Sequence, residues 1–84
     1  MTVDTADAVS SAIRKELNEG EYMLERFRGK LEEFEEEYGM DSEEFMERFE
    51  SGELEDDEDF FGWYTVYRSV KHWEEKIGEL RGAV

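Results

Sequence analysis

The chain has 84 residues, 25 acidic against 10 basic, a net charge of −15, and neither cysteine nor proline. A single domain of this size buries only about 60–65% of its unfolded surface, and without cysteine it has no disulfide or thiolate metal site to reinforce it. The acid excess excludes direct binding to nucleic acid or an anionic membrane. No apolar run nears the ~20 residues of a membrane-spanning helix and the N-terminus does not read as a signal peptide, so a cytoplasmic protein is expected.

Thr2, Asp4 and Thr5 are N-cap candidates for a first helix. Apolar residues then recur at Val9, Ile13, Leu17, Leu24, Phe27, Leu31, Phe34 and Tyr38. Spacings of three and four predict a heptad-like seam on one helix over about 5–37. Gly20 falls on that seam and Gly29 on the outer face. Each costs roughly 1 kcal/mol against alanine, so Gly20 predicts either a kink near Asn18–Gly20 or a close helix contact. Gly39 suits the left-handed residue that ends a helix.

A second start signal follows at once. Asp41 caps, Glu44 closes a capping box three residues on, and Met40 staples against Phe45. Phe45, Met46 and Phe49 give this short helix, about 42–51, one apolar side before Gly52 ends it. Glu53–Asp59 is a charged connector anchored by Leu54. Its aspartates favour the start of a third helix, about 57–80, where carboxylates complement the helix dipole. The seam of that helix is Trp63, Val66, Val70, Trp73, Ile77, Leu80 and Val84. At 100° per residue Phe61 lies almost opposite it.

The fold expected is all-α: one helical domain over 1–84, an antiparallel hairpin of two long amphipathic helices with a short intervening helix. Antiparallel pairing would gather Phe27, Phe34, Tyr38, Trp63 and Tyr67 into one aromatic cluster.

Charge is segregated along the chain. Residues 1–31 hold six acids and five bases, and residues 60–84 three acids and four bases. Residues 32–59 hold sixteen acids and one base, Arg48, so the net charge of −15 resides there. Such density is self-repelling, and a cationic partner is the simplest thing to offset it. Aromatics beside a charged rim are the anatomy of a binding hot spot. The candidate partner-binding residues are Glu53, Glu55, Asp56, Asp57, Glu58, Asp59, Phe60, Phe61 and Tyr64.

Catalytic, metal and cofactor chemistry find no footing. Asp57, Asp59 and Gly62 mimic the first half of a calcium loop, but Phe61 and Arg68 occupy its fifth and twelfth positions. The single histidine, His72, follows Ser69 at the spacing where a di-metal bundle needs glutamate. No serine has a base partner, and paired-carboxylate hydrolysis needs a cleft. The protein is therefore expected not to be an enzyme and to carry no cofactor or metal, beyond weak, unspecific divalent binding at Glu53–Asp59.

The stretch from Phe34 to Tyr67 resembles a family of small archaeal and bacterial proteins whose pattern runs FExxYGMsxxEFxxxFxxGELxDDxDFxxWxxxY. It is met here by Phe34–Glu35, Tyr38–Gly39–Met40, Glu44–Phe45, Phe49, Gly52–Glu53–Leu54, Asp56–Asp57, Asp59–Phe60, Trp63 and Tyr67. Members are similar to antitoxin-like proteins commonly encoded beside a small toxin-like protein. The resemblance implies an antitoxin of a type II toxin–antitoxin pair that binds and neutralises a basic partner. Gly62 stands where that pattern leads one to expect a helix former, predicting a looser first turn of the third helix. No ribbon-helix-helix or helix-turn-helix signature is present. The alternatives are a homo-oligomeric helical structural or interaction protein, and a nucleic-acid mimic that blocks a basic protein.

Overall fold

The computed structural model describes residues 5–83. It contains three helices, α1 (Thr5–Tyr38), α2 (Ser42–Glu50) and α3 (Glu58–Gly82), in the all-α hairpin architecture that the apolar spacing predicts. The cap candidates Thr2 and Asp4 and the last seam residue, Val84, lie outside the described residues.

The chain reverses direction through two glycine-ended helices. Gly39 has φ +64° and Gly52 φ +78°, backbone that favours glycine. The Met40 N–H donates to Glu35 O at 3.3 Å and the Glu53 N–H to Arg48 O at 3.0 Å, closing both termini. α2 starts on Asp41, whose carboxylate accepts from the Glu44 N–H at 2.8 Å. Only this half of the expected capping box forms in that way, because the Glu44 carboxylate pairs with Arg48 at 2.9 Å. α3 starts on Asp57, which accepts from the Asp59 N–H at 2.8 Å. It runs through Gly62 without a break, and a Cβ there would sit 3.7 Å from the Phe34 ring, an ordinary contact.

α1 is continuous through Gly20, so of the two sequence readings the close contact is the one realised. A Cβ at Gly20 would come within 3.1 Å of the Trp73 ring and 3.3 Å of Ile77. Phe34 meets Trp63 and Gly20 meets Ile77, fourteen residues on along each helix, so a single antiparallel register holds. The core has two parts. At the hairpin end, Phe34, Phe45, Met46 and Trp63 are buried, with Tyr38, Met40, Phe49, Leu54, Phe60 and Tyr67 packed around them. Along the shaft, Leu24, Val70 and Ile77 are buried, with Leu17, Phe27, Leu31 and Trp73 against them. Phe27 thus belongs to the shaft and not to the aromatic cluster expected for it. It sits two helical turns from Phe34, beyond reach of Trp63 in this register.

Candidate functional site: an acidic, aromatic hairpin end

Trp63 organises this end. Its ring is fully buried between Phe34 (5.5 Å between centroids, 8° between planes) and Phe45 (4.0 Å, 6°). A buried indole N–H needs an acceptor, and Trp63 Nε1 donates to Ser42 Oγ at 2.9 Å. The Ser42 N–H in turn donates to Glu35 Oε2 at 2.7 Å. One chain of contacts therefore pins the end of α1, the start of α2 and α3 together. A second clasp lies nearer the surface, where the Tyr38 hydroxyl donates to Asp59 Oδ2 at 2.6 Å. That bond to a carboxylate raises the Tyr38 pKa well above the ordinary tyrosine value, with partial burial and the charge of Asp59 acting in the same direction.

The sixteen carboxylates of residues 32–59 divide into two groups. Six are engaged: Asp41 and Asp57 as caps, Glu35 with Ser42, Asp59 with Tyr38, Glu33 with Lys30 at 3.1 Å, and Glu44 with Arg48. The other ten are exposed and form no hydrogen bond or ion pair with any described residue. They are Glu32, Glu36 and Glu37 on α1, Glu43, Glu47 and Glu50 on α2, Glu53, Glu55 and Asp56 on the connector, and Glu58 opening α3. Unpaired negative charge is thus carried by the same elements, the end of α1, α2, the connector and the start of α3, that meet around the buried tryptophan.

The aromatics named from the sequence part company here. Phe61 is 53% exposed and stands edge-on to Phe49 at 5.7 Å. Phe60 turns inward, half-buried against Tyr38 (5.2 Å) and Phe45 (5.7 Å), and so contributes to the core. Tyr64 is half-buried, stacked on Phe49 at 4.9 Å, and its hydroxyl accepts from Arg68 at 3.1 Å. Phe61 is therefore the exposed ring of this group, with Phe49 and Tyr64 half-buried against it and each other. Phe49 was absent from the sequence-derived set because the period of α2 assigns it to the buried side. Of the carboxylates in that set, Glu53, Glu55, Asp56 and Glu58 are free, whereas Asp57 and Asp59 hold the start of α3.

Among the described residues, no group of three or more aspartates, glutamates or histidines is placed to hold a metal ion. Nor, among the described residues, is any helix long and apolar enough to cross a membrane. His72 is exposed and lies edge-on to Trp73 at 5.8 Å. Compared with known proteins, the chain matches no family model, no curated protein and no solved structure.

Proposed function

We propose that the chain is an antitoxin-like binding protein that captures and neutralises a basic toxin partner, the two together forming a type II pair in the cytoplasm. The observation that carries this reading is the set of ten exposed, unpaired carboxylates between Glu32 and Glu58, followed closely in the chain by the exposed Phe61. Charge of this density steers a cationic surface into encounter. A desolvated aromatic within that rim supplies the short-range contact that holds it. The chemistry is steric and electrostatic: the carboxylates occupy the basic surface by which the partner would engage its own substrate.

The association rate of the purified pair should fall as salt rises, because steering is screened; a salt-independent rate overturns the electrostatic part. Phe61→Ala should weaken the complex by more than about 1 kcal/mol while changing the stability of the free chain by less than about 0.5 kcal/mol.

A second reading, self-association through the helical seam, draws on Val9. It is 52% exposed on the seam face of α1. A melting temperature that climbs with protein concentration would favour it.

A further inference from the structure

The two flanks of the α1–α3 pair differ. On one flank, a cleft of about 710 Å³ has a largely charged lining, and Arg28–Glu74 (3.1 Å) and Arg81–Glu21 bridge the helices there. On the other, Phe27 and Trp73 border an open cleft of about 490 Å³ that extends over α3 to Tyr64. Thr65 and Ser69 line it together with Arg68 and His72, and both hydroxyls are already engaged. Thr65 Oγ1 donates to Phe61 O and Ser69 Oγ to Thr65 O, each at 2.9 Å. Hydroxyls turned back onto their own helix leave an apolar surface facing outward. The Tyr64 ring joins this cleft to the Phe49–Phe61 patch. Phe61, Thr65, Arg68 and His72 recur at spacings of four, three and four, a stripe of three turns or about 17 Å. Lys76 closes the far end, 5.0 Å over the Trp73 ring and paired with Glu16 at 3.2 Å.

Charge is graded along that stripe. The Phe61 end adjoins the free carboxylates of the connector, whereas Arg68 contacts only the Tyr64 hydroxyl and ring among described residues and has no carboxylate partner. A cleft walled by Phe27, Tyr64 and Trp73, continued by the exposed Phe61 toward an acidic end, fits the helix-in-groove mode of recognition. We propose that the cleft receives an amphipathic α-helix of the basic partner, laid along α3 to make a third helix of the bundle. Its apolar side chains contact Phe61, Tyr64, Phe27 and Trp73. Its basic end lies over the connector and α2, and its other end, uncharged or acidic, over Arg68 and His72. This rests on the proposed function and adds to it the secondary structure, placement and polarity of the partner's docking segment.

The test uses two synthetic peptides of identical composition and charge, of ~18 residues each to span the groove. One has leucines at helical i, i+3, i+4 and i+7 positions with lysines at one end, and the other has that sequence scrambled so that no apolar face forms. Both are titrated into the isotopically labelled full chain, with backbone and Trp indole resonances as the readout. The amphipathic peptide should shift Phe27, Thr65, Ser69, His72 and the Trp73 indole, and the scrambled peptide only α2 and Glu53–Asp59. The double variant Thr65→Gln, Ser69→Gln fills the cleft without altering charge or helix propensity unfavourably. It should weaken the first peptide about tenfold and leave the second unchanged. If both peptides shift only the acidic end and the double variant binds as wild type, the groove proposal is overturned while cationic capture stands. If the amphipathic peptide occupies the cleft equally at low and high salt and the scrambled one does not bind, the groove stands and the electrostatic reading falls. Binding by neither overturns both.

Discussion

One antiparallel register runs the length of the α1–α3 pair, yet its two ends are built in opposite ways. The shaft is close to electrically neutral, filled with Leu24, Val70 and Ile77, and bridged by ion pairs between the helices. The hairpin end carries the whole net charge, leaves ten carboxylates unpaired, and is filled with stacked aromatic rings. Exposed ion pairs of the shaft kind contribute about 0–1 kcal/mol each, so the shaft relies on its apolar seam. Self-repulsion works against the compact state at the other end. The largest fully buried side chains, Trp63 and Phe45, stand where that repulsion is greatest. An acidic surface is thus held in place by a core that needs none of those ten carboxylates, which leaves them free to act on something else.

The sharpest way to break this contrast is to remove the aromatic keystone. Trp63→Ala should cost about 3–5 kcal/mol, a large part of the 5–15 kcal/mol typical of a whole domain. Urea denaturation followed by far-ultraviolet circular dichroism would measure it, and a cost below ~1 kcal/mol would mean that the stack does not hold the end together. On the shaft the critical feature is close approach. Gly20→Val drives a branched side chain into the Trp73 ring, 3.1 Å from the first added carbon, and should cost about 1–3 kcal/mol. Gly29→Ala, with nothing within 4 Å, should instead stabilise by about 0.5–1 kcal/mol. Equal effects at the two glycines would dissolve the packing argument.

Salt should separate the two regions further. Raising ionic strength from about 0.01 M to about 1 M shortens the screening length from ~30 Å to ~3 Å. The melting temperature should rise over that range as repulsion at the hairpin end is screened, although the shaft ion pairs weaken. A melting temperature that falls would place the net electrostatic term with the ion pairs. The smallest effect concerns the surface clasp. Tyr38→Phe should lower the melting temperature at neutral pH by removing the bond to Asp59. The Tyr38 pKa is raised on folding, so its contribution is complete below the unfolded tyrosine value of about 10. It is lost as pH climbs from there toward the folded value. The gap between variant and wild type should therefore shrink at alkaline pH.

Much of this molecule is legible from residue spacing. Helix limits fell within two residues, both glycine stops are where the chain turns, and the exposure of Phe61 follows from its angle on α3. Periodicity could not choose between a kink and a contact at Gly20, because that choice depends on Trp73 arriving from another helix. It also could not sort Asp57 and Asp59 from their free neighbours. A carboxylate that caps a helix or meets a tyrosine looks the same in sequence as one that faces water. The engagement of the Thr65 and Ser69 hydroxyls is hidden for the same reason: residue type reads as polar, and only the bonds to Phe61 O and Thr65 O show that the hydroxyls are turned onto the helix.

The most direct test of the central claim is to co-express the untagged chain with the tagged product of the adjacent gene and weigh whatever co-purifies by light scattering. The account predicts a stoichiometric complex that loosens in high salt. A chain recovered alone as a dimer or tetramer, with no neighbour retained, would contradict it and make the unpaired carboxylates a solubilising surface on a self-associating protein.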